Sequence, residues 1–416
     1  MQLRYNFRAY PTPGQAHSLA RAFGCARVVF NDGLSARREA HADGLPYIKD
    51  TDLQKQVITA AKRTEERAWL GEVSSVVLVQ SLRDLHTAYR NFFSSVTGKR
   101  KGPKVAPPRF KSKRDNKQSV RLTANGFSLR DNGKLYVAKV GDLAVRWSRQ
   151  LPSTPTSVTV TKDATDRYWV SFVVETDPDI LPETTAETGI DLGLAHFAVL
   201  ADGRKVDSPR FLRRAEKKLK RMQKALSRCA KGSNNRAKAR KKVARQHARV
   251  ADKRRDWHHK LSTSIIRDTQ AVYVEDLSVK GLARTNLAKS VQDAGWSQFV
   301  TMLEYKALKH GRHFGRIGRF EPTSQVCSAC GTKDGPKPLH VREWTCGDCG
   351  SAHNRDVNAA RNILAAGRAD RRNASQSAGK TGPVPAQRVE AGTHRDRHVP
   401  VVGIPVLQGR EDVKNP

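Results

Sequence analysis

Leu3, Tyr5 and Phe7 alternate with polar neighbours at the start of the chain, the two-residue period of a short strand, and Pro11 and Pro13 then turn it towards a helix. Residues 15 to about 93 carry helical spacing. It is clearest over 76–93, where Leu78, Leu82, Leu85, Tyr89 and Phe92 recur three and four apart. A basic loop broken by prolines follows, KRKGPKVAPPRFKSKR. Over 119–176 the period shortens to two, in runs separated by the hairpin signals Asn125-Gly126, Asn132-Gly133 and Gly141-Asp142. This predicts a small antiparallel barrel or sheet. The opening strand precedes the helices and is free to pair with these later strands, which would make the helical region an insertion.

A linker, DPDILPETTAE, leads into TGIDLGLAHFAVLADGRKV, read as a strand, a turn at Asp202-Gly203 and a second strand. A new domain begins there. Residues 213–255 carry roughly twenty Lys and Arg against two acids. Leu219, Met222, Leu226, Val243 and Val250 fall at helical spacing, broken at Gly232-Ser233-Asn234-Asn235, so the segment reads as a basic helical hairpin. Trp257, Leu261 and Ile265 extend its apolar stripe into a core. Then come a strand (AVYVEDL), a helix over about 296–310, a strand over about 313–320, a cysteine cluster and a helix over about 356–366. Beyond Gly367 the chain is polar and without periodicity, so residues 368–416 are expected to be a disordered tail.

The 416 residues, 38 % hydrophobic, suffice for two or three domains with a real core and exclude a wholly disordered chain. The chain has no apolar run of about 20 residues and no N-terminal secretory signal. A soluble, cytoplasmic protein with no membrane partner is expected. Lys and Arg number 76 against 40 acids, a formal charge of +36. Such an excess repels itself until a polyanion neutralises it, so nucleic acid is the expected partner. A ribosomal or chromatin-like packing protein would be as basic, so charge alone does not establish specific chemistry. The candidate phosphate contacts are Lys217, Lys220, Lys241 and Arg245 on the hairpin, and Lys101, Lys104 and Arg109 in the basic loop.

Three acids pose a burial problem. Asp191 lies within an apolar strand and Glu275 ends another, where an unpaired carboxylate costs several kcal/mol unless it sits at an edge or meets a cation. Asp356 opens a helix, where a cap or a partner for the helix dipole explains it equally well. Asp276, beside Glu275, is a decoy. Together the order strand-Asp, strand-Glu, helix-Asp matches a two-metal phosphodiesterase. Two ions about 3.5–4 Å apart need carboxylates converging from separate elements, and oxygen ligands favour magnesium or manganese. Acids at strand ends occur in many enzymes, so the order alone leaves the assignment open.

The cysteines are more specific. CSAC and CGDC place Cys327, Cys330, Cys346 and Cys349 in two pairs fifteen residues apart, each closed by a glycine, Gly331 or Gly350. This is the spacing of a four-thiolate zinc ribbon. Four thiolates fill the tetrahedron, so one structural zinc is expected rather than a catalytic one. Cys25 and Cys229 read as ordinary buried or unpaired thiols.

GIDLGL around Asp191, VEDL around Glu275, PTSQVCSACG, WTCGDCG and HNRDVNAARNIL around Asp356 resemble the motif series of TnpB, a family encoded by small bacterial insertion sequences. FRAYPTPGQ, FGCARVVFND and WLGEVSSVVLVQSLRDLHTAYRNFF resemble it too, so the resemblance runs to about Leu364. The family is similar in turn to the smaller type V CRISPR effectors. The resemblance implies an RNA-guided DNA endonuclease. A guide RNA from the transposon end would pair with target double-stranded DNA beside a short flanking motif, and one RuvC site would cut with two magnesium (or manganese) ions. Asp191, Glu275 and Asp356 would be the triad, and the four cysteines the zinc ligands.

The fold implied is multidomain, α+β and α/β. A β-barrel wedge domain (1–12 and 105–180) would hold a helical recognition insertion (13–104). A RuvC, ribonuclease-H-like nuclease domain (186–325 and 354–367) would hold a zinc ribbon forming a target-nucleic-acid-binding module (326–353). The competing readings are a catalytically silent RNA-guided repressor, whose signature would be a lost triad acid, and a DNA-strand transposase needing no guide. A miniature CRISPR effector would differ only in the source of its guide. The sequence leaves the oligomeric state open, with a monomer as the expectation.

Overall fold

The computed structural model describes residues 1–115, 118–338 and 340–380, with side chains to 374. It divides into two compact units, Met1–Thr176 and Asp177–Pro416. The first runs β1 (Gln2–Tyr10), α1 (Pro13–Ala42), a short α2 (Asp50–Gln54) continued by single π and 3-10 turns, and α3 (Ser75–Val96). Six strands follow, β2 (Gln118–Thr123), β3 (Phe127–Leu129), β4 (Leu135–Val137), β5 (Gly141–Arg146), β6 (Ser157–Lys162) and β7 (Tyr168–Glu175).

Strand β1 does pair with the strands that come after the helices, Arg8 lying opposite Arg146 of β5 and Trp169 of β7. The sheet order is β2-β6-β7-β1-β5-β4-β3. Its two outermost strands are joined only by the turn Ala124–Gly126, a span of at most about 14 Å. Six flat inter-strand steps would separate them by about 29 Å. The sheet must therefore curl, as a barrel requires.

Thr12 and Gln15 start α1 with a reciprocal capping box, and Pro13 takes the first helical position. The helical stretch expected over 15–93 is interrupted after α1, where Gly44 turns the chain at φ 68° and Pro46 follows. Helices and sheet share one core. Leu19, Phe23 and Leu34 of α1 and Leu78, Leu82 and Leu85 of α3 are buried with Leu122, Val160 and Phe172 of the strands. Each such burial contributes about 1.5–3 kcal/mol. The helices are inserted in connectivity but packed as part of the same body.

The second unit runs β8 (Glu187–Asp191), β9 (His196–Leu200), β10 (Lys205–Asp207), α4 (Phe211–Ser227), α5 (Asn234–Asp268), β11 (Ala271–Glu275), α6 (Val279–Leu282) and α7 (Ala288–Ala294). It continues with α8 (Trp296–Lys309), β12 (His313–Ile317), the hairpin β13 (Glu343–Thr345) and β14 (Ala352–Asn354), and α9 (Arg355–Lys380). In the order β10-β9-β8-β11-β12, β8, β11 and β12 are parallel and β9 runs antiparallel to both of its neighbours, β8 and β10. This is the ribonuclease-H-like arrangement. Alternation sorts its two faces: Ile190, Val272 and Val274 pack with Ile265 of α5 and Phe299 of α8, while Ala271 and Tyr273 pack with Ile363 of α9. The basic hairpin is α4 and α5, turning at Gly232 (φ 86°), with Ser233 capping α5.

The sequence predicts a helix ending near residue 366 and disorder from 368. Instead α9 continues to Lys380. Gly367 is not a stop: a Cβ there would lie 2.1 Å from Cδ1 of Tyr273, so the bare position is what lets the helix pack on that ring. Arg368 and Arg371 then pair with Glu187 at 2.5 and 3.3 Å. Charge anchors this turn, which hydrophobic periodicity does not register. The rest of the expected tail, 381–416, lies outside the described residues. Among the described residues no helix is long and apolar enough to cross a membrane.

Candidate functional site

The register of the parallel strands decides where two of the acids go. Ile190 of β8 lies opposite Val274 of β11, so Asp191 and Glu275 are the next pair, at the carboxyl ends of strands about 4.8 Å apart. Ile190 and Val274 point into the core under α5 and α8. Alternation therefore turns Asp191 and Glu275 to the face covered by α9. Gly189 allows α9 to come close there, since a Cβ on it would meet Ala360 O at 2.2 Å. Strand β14 runs directly into α9, whose first turn carries Asp356. Asp356 is not the cap: Val357 N donates to Asn354 Oδ1 at 3.4 Å. The Asp356 carboxylate instead pairs with Arg342 at 3.2 Å.

Two of the acids act on the third. Asp191 is pushed up to about 7, first by burial and then by the charges of Glu275 and Asp356, with Arg355 and Arg342 offsetting only part. Like charges gathered on a half-buried surface call for a cation, and an all-carboxylate donor set suits a hard divalent ion. The gathering is looser than a closed cage. Among the described residues only the four cysteines bring three or more ligand atoms within 4.8 Å of one another.

A hydrogen-bonded loop orients Glu275. Thr323 Oγ1 donates to Glu275 Oε1 at 2.6 Å. Asn362 Nδ2 donates to the carbonyls of Thr323 and Val326, both at 2.7 Å. Asn358 donates to Val326 O at 2.8 Å and accepts from Ser328 N at 2.8 Å. Two asparagines one turn apart on α9 thus hold the loop that leads into Cys327. The decoy Asp276 pairs with Arg319 at 2.6 Å.

The zinc-ribbon residues come together. The Sγ atoms of Cys327 and Cys349 are 3.7 Å apart, and those of Cys330 and Cys346 3.8 Å. Thiolates about 2.3 Å from a tetrahedral zinc have sulfur–sulfur edges of about 3.8 Å, so the spacing fits that ion. Gly331 (φ 81°) and Gly350 (φ 68°) close the two turns by donating to Cys327 O and Cys346 O. His353 Nε2 lies 3.0 Å from Cys327 Sγ, and its ring packs on Trp344. The described buried core of the module is only Cys327, Trp344 and Cys346. Such a core is too small to hold a fold, so metal binding would be its main stabiliser. Of the remaining thiols, burial pushes Cys25 up to about 11, and Cys229 donates to Ala225 O at 3.2 Å.

Lys101, Lys104, Arg109, Lys217, Lys220, Lys241 and Arg245 are all exposed. Lys220 is also tied to Glu216 at 3.0 Å. Sequence reasoning assigned no role to Thr323, Asn358, Asn362, His353 or Arg342. The first four stand inside the motifs already noted, and the four-residue spacing of Asn358 and Asn362 on the Asp356 helix was the available signal. Nothing marks Arg342 among the many arginines.

Residues 171–286 match the family described as "Probable transposase", and 296–363, which include all four cysteines and Asp356, match "Cas12f1-like, TNB domain". Residues 1–45 match a "Helix-turn-helix domain", although here they fold as β1 followed by the single long helix α1. A protein of Streptomyces pristinaespiralis described as "Putative RNA-guided DNA endonuclease" is 43 % identical over 370 residues, covering 87 % of this chain and 89 % of that one. An Escherichia coli K12 protein with the same description, InsQ, is 33 % identical over 384 residues, covering 88 % and 92 %. The solved structure of the mini-RNA-guided endonuclease CRISPR-Cas_phi3 aligns over 88 % of this chain and 92 % of its own, at a TM-score of 0.47 and 8 % identity. That likeness carries no argument about chemistry.

Proposed function

The chain belongs to the TnpB family of RNA-guided DNA endonucleases, and from that premise we propose that it cuts DNA at Asp191, Glu275 and Asp356 under the direction of a bound guide RNA. The observation that carries this reading is the convergence of three carboxylates from β8, β11 and α9 at one end of the sheet, close enough that two of them raise the third. Asp191, Glu275 and Asp356 would hold two magnesium or manganese ions, which when bound supply an activated water and charge stabilisation of the leaving oxygen. The chain's own residues prepare that site. Thr323 fixes the rotamer of Glu275, Arg342 sets a positive charge against Asp356, and packing at Gly189 sets the distance between α9 and β8. One zinc on Cys327, Cys330, Cys346 and Cys349 would hold the hairpin that leads into Asp356.

The guide comes from the transposon end and pairs with target double-stranded DNA beside a short flanking motif. A heteroduplex of about 20 bp carries about 40 phosphates and is held by backbone shape rather than by sequence. The +36 charge and the exposed cations of α4, α5 and the basic loop suit that task. Four thiolates kept for a metal suit the reducing bacterial cytoplasm, where the protein acts as a monomer. A silent repressor would need no triad, and all three acids are present. Strand transfer at transposon ends would need no guide. Sequencing the RNA that copurifies with the protein separates these readings: a discrete structured RNA ending in variable sequence is expected, and random cellular RNA would contradict guidance.

A further inference from the structure

Phe320 lies on the short loop after β12 and is 93 % exposed, the most exposed large apolar side chain among the described residues. It packs in none of the buried clusters. The loop that presents it is nevertheless held from both sides. Arg319 donates through Nη2 to Asp276 Oδ2 at 2.6 Å and through Nε to Asp276 O at 3.0 Å. Thr323 donates to Glu275 at 2.6 Å. Between them, Glu321 N donates to Gly318 O and Thr323 N to Glu321 O. Glu275 and Asp276 are consecutive, so the loop is stapled to the strand end that carries a candidate catalytic carboxylate. Three Cα–Cα steps, at most about 11 Å, lead from Phe320 to Thr323, which places the ring within a few nucleotides of a phosphodiester bond held at Glu275.

A ring left in water on an ordered loop beside phosphate-cleaving acids, in a chain of charge +36, suits one partner chemistry: the face of an unpaired nucleobase. Bases within a duplex are already stacked on their neighbours and offer no free face. We propose that Phe320 stacks on an unpaired base of the DNA strand entering the carboxylate site and so draws single-stranded DNA into register for cutting. The inference rests on the nuclease reading above.

The test uses the full chain with its copurified guide RNA and a DNA target matched to that guide. Phe320→Ala is expected to slow cleavage about 5- to 150-fold, the equivalent of the ~1–3 kcal/mol of one base–aromatic stack, with guide and target binding unchanged. Phe320→Trp keeps the rate, whereas Phe320→Leu, apolar but without a π face, does not. An abasic nucleotide beside the cut slows the wild type by the same factor and leaves Phe320→Ala no slower. Full activity in Phe320→Leu, or an abasic effect equal in wild type and Phe320→Ala, overturns the proposal. A second measurement needs no cutting. A single-stranded oligonucleotide carrying 2-aminopurine is quenched more by the wild type and Phe320→Trp than by Phe320→Ala, and equal quenching overturns the stack. If the wild type fails to cut matched DNA, the nuclease reading falls, and this fluorescence difference alone decides whether Phe320 takes a base.

Discussion

A methyl group at residue 189 has nowhere to go. In Gly189→Ala the new Cβ would lie 2.2 Å from Ala360 O, 2.5 Å from Leu364 N and 3.1 Å from Ile363 C, all main-chain atoms of α9. No rotamer change relieves a clash with main chain. Ordinary contact begins near 3.4 Å, so the helix must retreat by about 1.2 Å (3.4 − 2.2). Overpacking of this kind costs ~1–3 kcal/mol, which for a unit of about 200 residues lowers Tm by about 2–12 °C. The same retreat carries Asp356, one turn before Ala360, away from Asp191. A displacement of about 1 Å in a catalytic constellation costs ~100-fold in rate. Calorimetry and single-turnover cleavage of guide-matched DNA should therefore diverge, the rate falling far more than the folded fraction. Gly24→Ala, whose Cβ would meet nothing within 4 Å, is the control expected to leave both measurements near wild type. Wild-type Tm and rate in Gly189→Ala would refute the close packing of α9 on β8.

Thr323→Val removes the hydroxyl that donates to Glu275 and should lower kcat about 10- to 150-fold if the ~1.5–3 kcal/mol of a hydrogen bond to a charged group is spent on holding that carboxylate in place; an unaltered kcat would show that Glu275 needs no such support. Metal analysis should find about one zinc per chain, and Cys346→Ser should lose both the zinc and the cutting; a folded, active, zinc-free protein would reject the ribbon. Burial first, and then Arg254, hold the fully buried His258 down to about 4 from an ordinary value of 6.5. The unfolded chain takes up that proton first, so stability is full above about pH 6.5 and falls as pH drops towards 4, by up to about 3 kcal/mol. Denaturant unfolding over that range checks the slope, and His258→Gln should flatten it; an identical slope in the variant would assign the acid sensitivity elsewhere.

Strong, local signals were legible in the sequence. The CxxCG pairs read correctly as a cluster because the knuckle turn and its ligands lie within five residues of one another. The return of β1 to β5 and β7 was legible from element order, and α4 and α5 from their spacing and the Gly232 break. What stayed hidden depends on contacts distant in sequence. Gly367 reads as a helix end until Tyr273, 94 residues earlier, is seen against it. Asp356 alone is a plausible cap, and only the Asn354 contact and the Arg342 pair assign it otherwise. Thr323 and Arg342 carry no periodicity of their own, since their partners are set by how the ribbon and α9 dock on the sheet.

The central claim is that three carboxylates do the cutting while an RNA chooses the place. It is tested most directly by purifying the wild type, Asp191→Asn, Glu275→Gln and Asp356→Asn with their copurified RNA, then measuring target binding and cleavage of guide-matched DNA in magnesium. Each variant is predicted to bind guide and target as the wild type does and to lose cleavage. Cleavage retained by any of the three, or lost only because the DNA no longer binds, would contradict the account.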